Sequence, residues 1–293
     1  MNSSAVWKLR GVELPLGDPM VMGILNVTPD SFSDGGANSD PDDAILAGLA
    51  MRDAGASMVD VGGESTRPYS EGVDVGVEIE RVLPVVEGLA AEGVVVSIDT
   101  SKAAVAEAAV SAGAAIVNDV TGLTDPAMRS ICAETGVGVV IMHMQGNPQT
   151  MQDEPTYDNV VVDVGRYLAS QAIAAMEDGI RLESIAIDPG IGFGKTTDHN
   201  LELMRHLDSI THFGYPVLVG PSRKGFLGAL LEPIRGSTDP LERDGATAGA
   251  IAAAVMKGAT IIRTHNVPLG VDVALVAKAM VPRRHHDQEI ERT

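Results

Sequence analysis

The sequence predicts a single-domain α/β protein, a (β/α)8 TIM barrel with an N-terminal hairpin that covers the barrel bottom. Two observations support this fold class. Eight apolar runs each end in hydrogen-bonding or charged residues, and a segment with helical apolar spacing follows each run. Eight parallel strands joined by helices commonly close into one barrel at about this chain length of 293 residues.

The apolar runs are rich in Val, Ile and Met and do not alternate strictly with polar residues. This pattern is typical of strands that are buried on both faces of a parallel sheet. We place the strands at 20–26, 57–62, 94–99, 115–119, 138–143, 184–188, 216–220 and 259–264.

Helices are expected between the strands because capping residues and prolines begin these segments and glycines follow them. Asp40-Pro41 and Asp125-Pro126 are two such starts. An open doubly wound sheet is the alternative, but the glycine-rich dinucleotide loop usual after its first strand is absent. The predicted helices are 41–54, 77–91, 102–112, 126–134, 159–175, 199–212, 243–256 and 267–279.

The chain divides into a hairpin extension (1–19), the barrel (20–280) and a polar tail (281–293). In the extension, two short apolar runs flank Arg10-Gly11 and can pair as a hairpin. His285 and His286 of the tail are expected to be solvated rather than metal ligands.

Composition excludes several classes of function. A formal net charge of −19 repels nucleic acids and anionic membranes, and no basic run overcomes it. No segment is long and apolar enough to span a bilayer. The single cysteine, Cys132, reads as a small buried hydrophobe and is consistent with a reducing compartment, so we expect a cytoplasmic protein.

Barrel enzymes carry their active sites at the carboxyl ends of the strands, so the polar residues there are the site candidates. Each has a simpler reading: Asp99 can cap the next helix, and Asn118 and Asp119 can form an Asx-turn. Convergence of all of them around one barrel mouth favours a binding site. The candidates are Asn26, Asp99, Asn118, His143, Asp188, Lys224, Arg263 and His265.

These residue types suit a dipolar ring joined to an anion. Carboxylates and amides accept from a heterocycle's N–H edge, whereas Arg263 and His265 donate to phosphate oxygens. Of the adjacent Arg223 and Lys224, one can be merely a solvated surface charge. His143 is interpreted as a hydrogen-bonded histidine of the upper barrel, because no motif for a tightly held zinc is present.

Two loops, 28–36 and 62–70, are rich in Gly, Ser and Thr, which is typical of mobile lids. At the lids and strand ends the chain closely resembles dihydropteroate synthases of folate biosynthesis. The resemblance runs from about Met20 to Asn266 and rests on the segments GILNVTPDSFSDGG, DVGGESTRP, SIDT, NDV, MHMQGNPQTMQ, IDPGIGFGK, GPSRKGFLG and RTHN.

The resemblance implies a transferase that joins p-aminobenzoate to 6-hydroxymethyl-7,8-dihydropterin diphosphate by an SN1-like route with Mg²⁺, giving 7,8-dihydropteroate and diphosphate. The implied catalytic residues are Asp34, Arg67, Asp99, Lys224, Arg263 and His265. Pterin contacts are implied for Asp99, Asn118, Met142, Asp188, Gly220 and Lys224. The implied p-aminobenzoate contacts are Phe32, Thr66, Pro68, Phe193, Lys224 and Ser222. The implied diphosphate contacts are Asn26, Arg67, Arg263 and His265. Asn26 is also the implied ligand of the metal.

The resemblance also implies a homodimer and sulfonamide sensitivity. Two other functions remain open at this point. A methyltetrahydrofolate-binding methyltransferase barrel with a corrinoid partner has a similar pterin site, although the Ser-Arg-Lys and Arg-Thr-His segments favour diphosphate chemistry. A non-catalytic pterin-binding paralogue is the other, but it would be expected to have lost some lid or anion residues, and none is missing.

Overall fold

The computed structural model describes residues 5–28, 40–65 and 72–282 and confirms the predicted barrel. Eight parallel strands follow one another around it in chain order. A bridge between Ile187 and Val217 joins the last pair of neighbours and closes the barrel. The barrel strands are β3 (Met20–Asn26), β4 (Met58–Gly62), β5 (Val96–Asp99), β6 (Ile116–Asp119), β7 (Gly138–Met142), β8 (Ile185–Asp188), β9 (Leu218–Val219) and β10 (Ile261–Thr264).

Strand β9 is shorter than the predicted 216–220. Pro216 has no N–H to donate to a neighbouring strand, and it contributes only its carbonyl, which accepts from Ile187 at 2.9 Å. The first strand, β3, has the predicted bounds, and the others differ from prediction mainly at their ends.

Ten α-helices are described, two more than predicted. The predicted helix 199–212 is divided at His206 into α6 and α7, and α8 after β9 was missed. The helices are α1 (Pro41–Asp53), α2 (Val75–Ala91), α3 (Ala103–Ser111), α4 (Pro126–Thr135), α5 (Val160–Glu177), α6 (Thr197–Arg205), α7 (Leu207–Thr211), α8 (Gly225–Arg235), α9 (Asp244–Met256) and α10 (Val267–Met280).

A hairpin of β1 (Val6–Leu9) and β2 (Val12–Pro15) covers the bottom of the barrel, as predicted. The fully buried Trp7 donates from its indole nitrogen to the carbonyl of Ser184, just before β8. Its ring and the Leu9 side chain lie against Gly138, the first residue of β7, where a Cβ would collide with Leu9.

Apolar side chains fill the lower barrel, so polar side chains can gather only at its upper end. Trp7, Met22, Met58 and Ile116 belong to one buried cluster with neighbours from the other strands. Cys132 is a buried residue of α4, and burial raises the pKa of its thiol to about 12, which makes it unreactive. None of the described helices has the length and apolar character needed to cross a membrane.

Candidate active site

A polar cleft opens at the upper end of the barrel, where the strands end. It contains about 320 Å³ of space including its mouth, which is open to solvent. Its lining includes all six residues that the sequence predicted for the pterin. The lining residues are Asp99, Asn118, Val120, Met142, Asp188, Ile191, Phe193, Gly220, Lys224 and Arg263.

A larger cleft of about 850 Å³ lies at the bottom, between the hairpin turn at Arg10 and the loops around Gly136 and Gly179. Arg10 and Arg181 at its edge are exposed and donate to backbone carbonyls. Because it lacks the buried carboxylates of the upper cleft, the upper cleft is the better candidate for chemistry.

Asp99 is a cleft residue and not a helix cap. The residue at the start of α3 is Lys102, which makes no capping bond with its side chain. One carboxylate oxygen of Asp99 accepts from Arg263 at 2.6 Å, while the other accepts from no group in the described ranges. Burial raises the pKa of Asp99 even though Arg263 lowers it. A buried, unpaired acceptor on the cleft wall is suited to a ligand N–H.

Asn118 and Asp119 are adjacent, but one lines the cleft and the other stabilises a turn. Asp119 accepts from the backbone of Thr121 and Leu123 and so forms the predicted turn. Asn118 lies on the cleft wall and donates to Asp60 at 2.9 Å.

Asp60 is the functional residue that sequence reasoning missed. It is fully buried in β4, and its Oδ2 accepts from Asn118 and, at 2.6 Å, from the Nε of Arg263. A single carboxylate thus fixes one amide and one guanidinium of the cleft. The available signal was a charged residue inside an otherwise apolar strand, Met58–Gly62, because buried aspartates are rare unless they are paired.

Asp188, at the end of β8, is held by the glycine loop that follows it. Its Oδ1 accepts from the N–H of Gly190 at 2.7 Å. Gly190 has a φ of +67°, and a Cβ there would lie 1.9 Å from the carbonyl oxygen of His143, so only glycine fits. Burial raises the pKa of Asp188 to about 6, against the lowering effects of this hydrogen bond and of Lys195 and Lys224.

Lys224 extends into the cleft over the ring of Phe193, with its Nζ 3.7 Å from the ring centroid. A Cβ on Gly192 would lie 2.7 Å from the Cδ of Lys224, so this glycine makes room for the lysine stem. Burial lowers the pKa of Lys224 to about 7; the positive charge of Arg263 adds to this, and Asp188 and Asp99 oppose it. A charged ligand bound in the cleft can easily shift the pKa of such a lysine.

The neighbouring Arg223 points away and forms a two-contact ion pair with Asp244, at 2.8 and 3.1 Å. Its φ of +58° is unusual for a residue other than glycine. This backbone conformation directs the Arg223 side chain away from that of Lys224. The alternative that the sequence left open is therefore decided: Lys224 belongs to the cleft, and Arg223 to the ion pair.

The anion-binding candidates lie beside the acids rather than across from them. Arg263 bridges Asp60 and Asp99, so at this residue acids and bases are not separated on two sides of the cleft. His265 is held by Ser222, whose hydroxyl lies 2.9 Å from its Nδ1 and accepts from its backbone N–H at 3.1 Å. This contact directs the Ser222 hydroxyl to the histidine.

Asn26 ends β3 next to Gly62 and Asp99, since a Cβ on Gly62 would lie 3.8 Å from the side-chain oxygen of Asn26 and from Asp99 Oδ2. Among the described residues no group of three or more His, Cys, Asp or Glu side chains could enclose a metal. A single amide oxygen fits Mg²⁺, which usually takes few protein ligands and fills its remaining positions with water and substrate phosphates.

Several predicted site residues lie outside the described part of the chain: Phe32, Asp34, Thr66, Arg67 and Pro68, together with His285 and His286 of the tail. Their roles stay predictions. Beside one of these gaps, Lys102 contacts Glu64, Glu78 and the carbonyl of Val73. Sequence patterns did not predict this network, which joins the residue before α3 to the loop after β4 and to α2.

Comparison with known proteins agrees with this geometry. A family model described as pterin binding enzyme matches residues 22–265. The dihydropteroate synthase of Escherichia coli K12 is 44% identical over 278 residues, which cover 94% of this chain and 97% of the relative.

Two solved structures are similar over nearly the whole chain. Xanthomonas albilineans dihydropteroate synthase with 4-aminobenzoic acid superimposes with a TM-score of 0.88 at 42% identity, covering 95% of this chain and 100% of that one. The Yersinia pestis dihydropteroate synthase with a sulfonamide drug gives 0.87 at 42% identity, covering 94% and 98%.

Proposed function

The chain belongs to the pterin-binding enzymes and, among them, to the dihydropteroate synthases, and from this premise we propose how its cleft performs the reaction. That reaction joins p-aminobenzoate to 6-hydroxymethyl-7,8-dihydropterin diphosphate and releases diphosphate. The observation that carries the proposal is the convergence of Asp99, Asn118 and Asp188 with Lys224 and Arg263 in one buried cleft.

The acids of the cleft hold the pterin. Its amino and ring N–H groups need acceptors, and Asp188 and the unpaired oxygen of Asp99 supply them where water is excluded. Asn118 is oriented for the same edge because Asp60 takes one of its amide hydrogens. Lys224 donates to an acceptor of the ring, and Phe193 keeps it over the cleft.

The leaving diphosphate is stabilised by fixed positive charge. Arg263 lies in the last half of β10, His265 follows this strand, and α8 begins just after Lys224. Cations and a helix N-terminus therefore meet where barrels of this type bind phosphate. These groups act on charge that grows as the carbon–oxygen bond breaks. Arg67 is expected to contribute a further cation.

Bond breaking precedes bond making in this proposal. The carbon–oxygen bond breaks first, and its electron pair leaves with the diphosphate. The aspartates face the pterin cation that remains and stabilise it electrostatically. The amine nitrogen of p-aminobenzoate then bonds to the exocyclic carbon and loses a proton to water. A weakly nucleophilic arylamine favours this order.

The p-aminobenzoate is proposed to lie next to Phe193 and Lys224, with Phe32, Thr66 and Pro68 completing the pocket. Because Ser222 is committed to His265, its contribution to this pocket is indirect, through the position of the histidine.

Mg²⁺ is proposed as the cofactor, with Asn26 and the substrate's diphosphate oxygens as its ligands. When bound, the ion would neutralise negative charge on the leaving group. The chain's own part is to present one amide oxygen at the end of β3, beside the cleft acids.

We also propose a cytoplasmic homodimer. The lone cysteine is buried and unpaired in the described structure. Met256, Leu275, Val276 and Met280 expose apolar side chains on α9 and α10, which pack against each other, and a second copy would cover them. Analytical ultracentrifugation is expected to give twice the monomer mass; a monomer at micromolar concentration would contradict this.

The function is tested with purified protein, both substrates and Mg²⁺. Diphosphate and 7,8-dihydropteroate are expected in equal amounts, and Arg263→Met is expected to reduce both. The control is Arg205→Met, which removes an exposed cation paired with Glu202 and is expected to keep full activity. Absence of dihydropteroate from the unaltered protein would overturn the assignment.

A further inference from the structure

Lys195 is a buried cation that lines neither the cleft nor the surface. It directly precedes Thr196, the N-cap of α6, and is 2% exposed. Its Nζ donates to the carbonyl of Phe193 at 2.8 Å and the carbonyl of His143 at 3.3 Å, and lies 3.0 Å from the Nδ1 of His143. None of these acceptors is a carboxylate, although a buried ammonium normally requires one.

Holding the loop in place does not explain the charge. Lys195 does connect the end of β7, at His143, with the glycine loop after β8, but neutral groups bind the same loop. Gln152 donates to the carbonyl of Gly192 at 3.1 Å, and the Tyr157 hydroxyl donates to the carbonyl of Gly194 at 2.6 Å. A charge buried at a desolvation cost therefore calls for an electrostatic role.

The acid that interacts electrostatically with Lys195 is Asp188. The backbone links the two sites, because the N–H of His143 donates to the Asp188 carbonyl at 3.0 Å. Lys195, Lys224 and Arg263 all lower the pKa of Asp188, against burial, which raises it. Lys224 and Arg263 line the cleft and are expected to contact substrate, whereas Lys195 is a charge that substrate does not reach.

His143, whose ring nitrogen lies next to the Nζ of Lys195, does not change its protonation state in the pH range in which Asp188 titrates. Burial, and then the charge of Lys195, lower the pKa of His143 to about 3, so this histidine stays neutral. Its ring contacts Tyr157 and Tyr167, and Tyr157 contacts His199 in turn. Burial lowers the pKa of Lys195 itself to about 7, Asp188 opposes this and Lys224 adds to it. Lys195 therefore still carries positive charge near pH 6, where Asp188 titrates.

We propose that Lys195 is a positioning residue whose charge keeps Asp188 in the carboxylate form that accepts the pterin's N–H groups, without touching the substrate itself. The inference rests on the proposed pterin contact of Asp188. It assigns a role to the lysine of the GFGK segment that the reaction scheme leaves unused.

The test measures the dissociation constant of 6-hydroxymethyl-7,8-dihydropterin from pH 5 to pH 9, without turnover. In the unaltered protein, binding is expected to weaken below about pH 6 as Asp188 becomes protonated. In Lys195→Met this midpoint is expected to rise by about one pH unit. Affinities are expected to converge above pH 8, where Lys195 of the unaltered protein is itself largely neutral.

The matched control is Gln152→Ala, which removes an uncharged contact to the same loop. It is expected to weaken binding equally at every pH and to leave the midpoint unchanged. If Lys195→Met behaves in this same way, the residue has only a structural role and the inference is wrong. If Lys195→Met does not fold, Lys195→Gln replaces it, with the same expectation.

The outcome separates the two proposals. An unaltered protein that binds no pterin at any pH would contradict the proposed function. Normal binding with no midpoint shift in the lysine variant would contradict only the role of Lys195.

Discussion

Asp60→Asn tests whether one buried carboxylate organises the cleft. The change keeps the size of the side chain and removes its charge. An Asn oxygen can still accept from Arg263 and Asn118, so the two hydrogen bonds weaken and are not lost. Charge-assisted bonds are worth about 1 kcal/mol more than neutral ones, which gives a loss of about 2 kcal/mol for the pair.

A second cost comes from the new amide nitrogen. It takes the place of Asp60 Oδ1, which has no partner among the described residues. An unpaired buried donor costs about 1–3 kcal/mol. Removing the repulsion between Asp60 and Asp99 offsets part of this, so we expect the free energy of unfolding to fall by about 2–4 kcal/mol.

The expected kinetic effect is a fall of about 100-fold in kcat/KM, because both groups that Asp60 holds, Asn118 and Arg263, are proposed to contact substrate. Denaturant unfolding and steady-state kinetics measure the two effects. Ser97→Ala is the control, since Ser97 lies opposite Asp60 on the neighbouring strand and is equally buried. Its hydroxyl makes no hydrogen bond among the described residues. Unchanged stability and unchanged kcat/KM in Asp60→Asn would refute the reasoning.

Four further predictions follow from the cleft. Lys224→Met is expected to lower kcat/KM about 100-fold with little loss of stability, whereas undiminished turnover would show the assignment to be wrong. The pKa of Asp188 is about 6 in the folded protein against 3.8 for an ordinary aspartate, so the folded state binds its proton more tightly. The stability that this proton contributes is fully present below pH 3.8 and is lost as pH rises through 6. The free energy of unfolding of Asp188→Asn, relative to the unaltered protein, should therefore rise by up to about 3 kcal/mol between pH 4 and pH 8; an equal difference at both pH values would contradict this. EDTA is expected to abolish turnover and Mg²⁺ to restore it; full activity in excess chelator would exclude the metal. A sulfonamide is expected to raise the KM for p-aminobenzoate without changing kcat, and an uninhibited reaction would argue against the shared pocket.

The barrel could be predicted because each of its elements is marked locally. Buried parallel strands give apolar runs, and caps and glycines mark the helix ends. Helix α8 was missed because the prediction assigned one helix to each strand, and Pro233 within α8 weakens the helical signal. The division at His206 depends on how α6 and α7 pack, which no local pattern reports.

The cleft was predictable where a polar residue lies at the end of a strand, as Asp99 and Asp188 do, or next to it, as Asn118 does. Asp60 lies two residues before the end of β4, and its role depends on partners far away in sequence: Arg263 is 203 residues away. The choice between Arg223 and Lys224 likewise required Asp244, whose position follows from the fold. Sequence patterns thus located the cleft, and long-range contacts decided which groups it holds fixed.

The central claim is that the carbon–oxygen bond breaks before the amine attacks, driven by fixed charges on both fragments. Positional isotope exchange tests this most directly, with ¹⁸O placed in the oxygen that joins the pterin carbon to the diphosphate. With a non-nucleophilic analogue in place of p-aminobenzoate, recovered substrate is expected to carry label in the non-bridging oxygens of the same phosphate. Label that stays in the bridge, while turnover with p-aminobenzoate is normal, would contradict the account.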